Sequence, residues 1–288
     1  MNPTSLSSSP NPPAASHTPQ GFSFVARPMR TEWPRDLPRW WNGGRAFDTH
    51  FMNALSVTFP HGEKFFIDSV RHYRERITDP RLQAEITAFV SQEGWHRSVH
   101  RDYNDWLNTL ELPAARLDAL ARERIEGIKA KLRPRGWLAA TVCLEHFTAL
   151  FAHRLLADPE RLQAMEPHLR KVWAWHAMEE LEHKGVAFDV YLAIGGRRSA
   201  LSRAMLLVTF TFTLDITRNL IALLRADRVL WRPRTWWEAA SYLFGLRRGL
   251  VWRTLPAWLA FFGGRFHPWT HDDRPLIERA RLQAGIAA

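Results

Sequence analysis

The stretch HAMEELEHK, residues 176–184, places two histidines and three glutamates within nine positions. Such a run is either the solvated face of a helix or a set of metal donors. His176, Glu180 and His183 stand at i, i+4 and i+7, so on a helix they form one continuous line. A solvated face needs nothing further from the chain, whereas a metal site needs matching donors on other helices. Working outward from this stretch therefore decides the fold.

A second Glu-x-x-His unit occurs at Glu93–His96 (EGWH), and it joins Glu180–His183 (ELEH). Either unit alone is weak, since thirteen histidines in 288 residues give about one acidic-x-x-His pair by chance. Their order along the chain is more specific. Apolar residues recur at three- and four-residue spacing from about 50 to 260, and strand-like alternation is rare, so the chain should be all-α.

Four long helices are expected. The first runs from Pro60 to Ile77 with Glu63 near its start; the second runs from Asp79-Pro80 to about Leu107, with Leu82, Ile86, Phe89, Val90, Glu93, His96 and then Val99 or His100 inward. The third, Gly136 to Leu156, is apolar nearly all round, with Glu145 its lone acid. The fourth runs from Pro167 to Ile194 and is stopped by Gly195-Gly196. Read in order, the helices offer Glu63, then Glu93 with His96, then Glu145, then Glu180 with His183. One Glu from each of two helices and Glu-x-x-His from the other two is the donor set of ferritin-like di-metal bundles. Four carboxylates also balance two divalent ions, which lets such a site be buried near neutrality. His176 adds a third imidazole on the same line.

Other polar residues read differently. Glu63 near a helix start also complements the helix dipole, so capping is its alternative role. Glu145 in so apolar a helix requires a partner. His146 points about 100° away from Glu145 on a helix and reads as a core or supporting histidine. His100 shares the face of His96 one turn on and suits an outer supporting or substrate-contacting role; Glu179 and Glu182 suit surface positions or support of donor imidazoles. His50, His61 and His72 carry no specific signal.

The donor pattern, with H-x-x-x-E-x-x-H on the last helix, resembles the arylamine N-oxygenase type of di-iron oxygenase, whose site has four glutamates and three histidines. A resemblance covering most of the chain lies in LSVTFPHGEKFFIDSVRHY (55–73), FVSQEGWHRSVHRDYN (89–104), LEHFTA (144–149), WHAMEELEHKGVAFDVY (175–191) and FHPW (266–269). These segments resemble a bacterial family labelled "predicted metal-dependent hydrolase", which implies a metal site. Carboxylate and imidazole donors without thiolates suit iron, manganese or zinc. The expectation is two iron ions, with manganese or zinc as alternatives, in an oxygenase that oxidises a small organic substrate. Hydrolysis by a metal-bridging hydroxide is the alternative, and non-catalytic metal binding or storage the third reading. No nucleotide-binding fingerprint is present, so a reductant would come from an external electron donor.

Composition bounds the rest. The net charge is +10, yet the basic residues are scattered, nearly all arginine, and unaccompanied by zinc-finger or RNA-binding motifs, which argues against nucleic acid. The single Cys143 and the absence of a signal-like start predict a cytoplasmic protein. Residues 1–26 read as a disordered tail, 27–196 as lead-in and bundle, and 197–288 as an apolar helical extension packed on the bundle. Residues 204–224 have the length of a membrane span, but Asp215, Arg218 and Asn219 fall in its middle. Tryptophans interleave with arginines over 231–262, a pattern suited either to packing over the bundle or to peripheral membrane contact. Asp215 and Arg218 either pair within that packing or, if they face the metal cavity, bind a polar substrate group. The sequence leaves the oligomeric state open.

Overall fold

The computed structural model describes residues 15–34 and 36–284. Among them the chain is helical, with no strand and one isolated bridge between Asn42 and Met165. The donor-bearing helices are α2 (Phe59–Arg71), α3 (Pro80–Thr109), α5 (Pro134–Leu156) and α7 (Pro167–His183), preceded by α1 (Ala46–Ser56). Between them lie α4 (Ala114–Lys131) and the short α6 (Pro159–Ala164); after them come α8 (Val186–Ala193), α9 (Arg198–Ala226), α10 (Pro233–Phe244), α11 (Leu250–Ala260) and α12 (Arg274–Ala284).

Prolines and acidic caps set the helix starts. The Asp79 carboxylate accepts from the Arg81 amide at 2.9 Å ahead of α3, and Glu166 accepts from the Leu169 amide at 3.0 Å ahead of α7, each followed by proline in the first turn. The helix ends differ from expectation at two places. The first donor helix stops at Arg71, and the chain makes a 3-10 turn at Arg74–Arg76 instead of continuing to Ile77. The fourth is broken at Lys184-Gly185 into α7 and α8. A Cβ on Gly185 would lie 2.9 Å from the Trp269 ring, so this turn is glycine because the C-terminal segment presses on it. The chain then ends α8 with Gly195 in the left-handed region, φ 76°, as the Gly-Gly pair implied.

α2, α3, α7 and α5 close a ring, with α2 packed on α3 and α5, and α7 packed on α5 and α3. Two apolar clusters lie at its ends. One takes Leu82, Ile86 and Phe89 from the start of α3, Leu138 and Val142 from the start of α5, and the apolar residues of α8; the other takes Tyr103, Ala152 and Trp173 from the opposite ends of the helices. α3 and α5 therefore run parallel, α7 runs against both, and α4 returns the chain between them as a crossover. The donors lie midway, between the two clusters.

One expectation is corrected here, and two helices are added to it. The tail was expected to extend to residue 26, but residues 15–26 pack on the bundle: the Ser16 amide donates to Asp79, His17 contacts Asp189 at 2.7 Å, and Phe24 is buried. Residues 1–14 lie outside the described residues. α1, unforeseen, is buried along its whole length and so has no amphipathic period to read. α4 was also unforeseen, and it covers α2, α3 and α5.

His50 of α1 is part of a buried link to the loop after α9. Its Nε2 lies 2.8 Å from Asp227, which also accepts from Trp40 Nε1 at 2.7 Å and from Arg39. Burial alone would raise this carboxyl, but the bonds from His50, Trp40 and Arg39 hold it at about 2. The group's stability contribution is present above pH about 4 and lost as pH falls toward 2. Asp227→Asn should therefore lower unfolding free energy at neutral pH by about 1 kcal/mol after screening around the half-exposed Arg39, the difference vanishing near pH 2. Denaturant titrations of both proteins across this range check it; a constant difference would show that ionisation of Asp227 is not involved.

Candidate metal centre

The seven donors expected from the sequence meet between the helices, each almost wholly buried. Glu93, Glu145, Glu180 and His183 bring one donor atom each within 4.8 Å of one another, as do His96, His176 and Glu180, and also Glu63, His100 and His176. Glu180 and His176 join these groups into one cluster. Glu180 lies at the middle: its oxygens are 3.3 Å from His96 Nδ1, 3.5 Å from His176 Nε2 and 3.6 Å from His183 Nε2. His183 Nε2 is also 3.3 Å from Glu93 and 3.4 Å from Glu145.

These contacts do not satisfy the donors. Both oxygens of Glu63, Glu93 and Glu145, Oε2 of Glu180, Nδ1 of His96 and Nε2 of His183 are buried without a hydrogen-bond partner. Orphaned buried polar atoms are rare, and here they concentrate on the inward-facing atoms of one cluster. A pair of cations would satisfy them, so the residues fit a di-metal group.

The outer nitrogens of the imidazoles, by contrast, are anchored. His96 Nε2 lies 3.1 Å from Glu179, which in turn accepts from the Arg27 amide at 3.0 Å. His183 Nδ1 lies 3.0 Å from Gln92 Oε1, and the Gln92 amide donates to Glu182 at 2.8 Å. Glu182 also accepts from Arg27 and Arg281. His176 is held through a longer chain: its Nδ1 is 3.3 Å from His100 Nε2, His100 Nδ1 is 2.9 Å from Ser56 Oγ, and Ser56 donates to Asn104 Oδ1 at 2.9 Å. With the Ser56 proton committed to Asn104, His100 donates to Ser56 and its other nitrogen accepts from His176. Each of the three imidazoles thus turns a bare nitrogen inward, the arrangement that a ligating histidine needs.

Electrostatics follow from this geometry. Burial, reinforced by neighbouring carboxylates, raises Glu63, Glu93 and Glu145 above the usual carboxylate range. Burial also opposes charge on His96 and His183, but hydrogen bonds donated to Glu179 and Glu180 hold His96 at about 9, and the Glu180 and Glu145 carboxylates hold His183 at about 10. His96 and His183 therefore favour a second proton when no cation is bound, whereas burial holds His176 well below the usual imidazole range. His100 is pushed down to about 3 by burial and remains neutral, as its place in the chain to Ser56 requires.

A family model described as a predicted metal-dependent hydrolase matches residues 25–272. The chain belongs to this family. Comparisons with curated proteins and with solved structures return no match. The hydrolase family's span takes in every donor in the cluster, together with Arg27 and the Trp269 ring against Gly185. Its description states metal dependence and leaves the metal unnamed.

In this member of the metal-dependent hydrolase family, a cavity of about 140 Å³ reaches the cluster at Glu63, His176 and Glu180. Its walls are largely apolar, with Phe59, Phe66, Leu144 and Phe212 among them. Arg124 and Asp215 pair across 3.2 Å at its partly exposed rim. A smaller space of about 50 Å³, lined by Phe51, Trp173 and Tyr242, meets His176 and Phe59 from another side.

The remaining sequence candidates separate cleanly. Glu179 supports His96, and His100 supports His176. Asp215 faces the cavity, but Arg218 is 4.0 Å from Asp215, mostly exposed, and does not line the cavity. His146 is outside the cluster, against Phe261 and Phe266 with Nε2 3.3 Å from the Ala257 carbonyl, and burial lowers it to about 4. Glu182 was read as a surface or supporting group; it is wholly buried and supports His183 through Gln92. Sequence reasoning missed Ser56, Gln92, Arg27 and Arg124, because none carries a motif and each acts through a residue distant in sequence. Gln92 alone had a usable signal, its position beside Glu93 on a helix expected to be buried.

Proposed function

We propose that this protein is a dinuclear-metal enzyme acting on a small, largely apolar molecule. The set of orphaned inward donor atoms at the end of an apolar cavity carries the reading. Glu63, Glu93, His96, Glu145, His176, Glu180 and His183 would hold the metals. Bound there, two divalent ions would supply hydroxide from a coordinated water near neutral pH or, as iron, electrons to dioxygen. The family description supports hydrolysis, and hydrolysis is the first reading. In it, the phenylalanine-rich walls orient the apolar body of an ester or amide and exclude bulk water. Arg124 offers its guanidinium to a polar substrate group at the rim, held in place by Asp215.

Oxygen-dependent oxidation by two irons is a second reading, favoured by the donor set itself: four glutamates and three histidines, with the lone Cys143 packed in an apolar cluster. It would draw electrons from an external donor.

Reconstitution without air in competing Fe(II), Mn(II) and Zn(II), followed by ion counting, ester and amide hydrolysis, and oxygen uptake, tests both. Two ions per chain with hydrolysis and no oxygen uptake is the expected result. Two irons with oxygen uptake would replace it with the second reading, and less than one ion per chain would sink both.

A further inference from the structure

The C-terminal helices carry surface chemistry that the metal centre does not use. Residues 197–265 contain twelve arginines, no lysine and three acids, so this quarter of the chain carries nearly all of its net charge of +10. Two of the acids are turned inward: Asp227 bonds Trp40 and His50, and Glu238 is buried against the Phe47 amide. Arg234 pairs with Glu238, Arg248 with Glu160 and Asp158, and Arg218 lies 4.0 Å from Asp215; among the described residues the other nine arginines of this segment, Arg203 and Arg225 included, have no acidic partner within 4 Å.

Large apolar side chains are exposed among them. α9, α10 and α11 form an outer layer: α9 packs on α1 and α5, α10 on α1, and α11 on α5 and α10, while Trp258 of α11 bonds Thr209 of α9 at 3.0 Å. Each helix presents an apolar stripe away from that packing. On α9 it comprises Leu206, Phe210 and Ile221, flanked by exposed Arg203, Arg218 and Arg225; on α10, Trp236, Trp237 and Phe244; on α11, Trp252, Leu255 and Leu259. The exposures are high, 67% for Phe210 and 75% for Trp237, with Trp231 at 83% and Leu246 at 94% in the loops between. α9 is long and apolar enough to cross a membrane, yet its buried Asn219 bonds the Ala54 carbonyl and ties it to the bundle.

We propose that the outer layer of α9, α10 and α11 docks the protein on an anionic lipid surface, with the tryptophans at headgroup depth and the arginines on the phosphates. Arginine-rich polar faces opposed to Trp, Phe and Leu are the composition of interfacial helices. A second copy of the same face would bring like charges together, and a nucleic acid would leave Leu206, Leu255 and Leu259 in water. The metal-site cavity is lined by Val208, Thr211, Phe212 and Asp215 of α9, so it adjoins the docking face. Delivery of a lipid-dissolved substrate from that face rests on the proposed function; the docking itself does not.

Flotation of the full chain with phosphatidylcholine vesicles, with and without phosphatidylglycerol, tests the docking without reference to catalysis. Binding should require the anionic lipid and weaken with salt. Arg203→Gln, Arg218→Gln and Arg225→Gln should each lower partition roughly fivefold, and Trp236→Ala with Trp237→Ala by at least about tenfold. All five side chains are exposed; Trp236 also donates to the Leu230 carbonyl at 2.8 Å, so Trp237→Ala alone is the tryptophan variant that, with the three arginine variants, should unfold as the parent does. Failure to float on either lipid would overturn the proposal. So would a concentration-dependent dimer that the tryptophan variants abolish, or salt-sensitive binding to single-stranded DNA with none to vesicles.

Discussion

Glu180→Ala should empty the metal centre. Glu180 contacts all three imidazoles and belongs to two of the donor groups, so its loss removes the shared oxygen on which the cluster converges. Activity should fall at least about a thousandfold, equivalent to about 4 kcal/mol of transition-state stabilisation, and ion content should drop toward zero. Gln92→Leu provides the graded comparison. It leaves every donor atom in place but frees the outer nitrogen of His183 and unpairs one bond to Glu182, so affinity should fall ten- to hundredfold while saturating metal restores full occupancy. Equilibrium dialysis of both variants against the parent separates loss of a donor from loss of orientation. Unchanged ion content in Glu180→Ala would refute the assignment.

Chelation should destabilise the whole domain. The ion-free cluster leaves carboxylate oxygens and imidazole nitrogens buried without partners midway between the two apolar clusters, and no other part of the fold compensates them. Any ion that binds only the folded state adds RT ln(1 + [L]/Kd), about 4 kcal/mol at a thousandfold excess over Kd for each ion. At about 2–4 °C per kcal/mol for a chain of this size, removing one such ion should lower Tm by roughly 10 °C. Calorimetry before and after chelation measures this, with readdition of metal as the reversal. A midpoint that stays fixed while the ions leave would mean that the donors are not coupled to folding. The protons that His96 and His183 bind in the ion-free state are lost as pH rises through about 9 and 10, so the loss on chelation should be smallest below pH about 6.5 and grow as pH rises through that range.

The all-helical class, the four donor-bearing helices and the convergence of their donors were legible in the sequence because they rest on local geometry. Residues three and four apart on a helix must share a face, so Glu93 with His96 and His176 with Glu180 and His183 declare their alignment without reference to the rest of the chain. Proline and an acidic cap at Asp79-Pro80 likewise mark a helix start from neighbouring residues alone. What the sequence could not supply depends on contacts between distant segments. The break at Gly185 exists because Trp269 lies against it, and the orientation of His176 passes through His100 to Ser56, on two other elements. α1, buried on every side, has no periodicity to reveal it. His146 and Glu145 are adjacent in sequence, yet one faces Phe266 and the other the cluster, a choice made by helix packing. Spacing along a helix therefore determined which donors could act together; tertiary packing alone decided which nitrogen each histidine turns inward, since that depends on partners contributed by other parts of the chain.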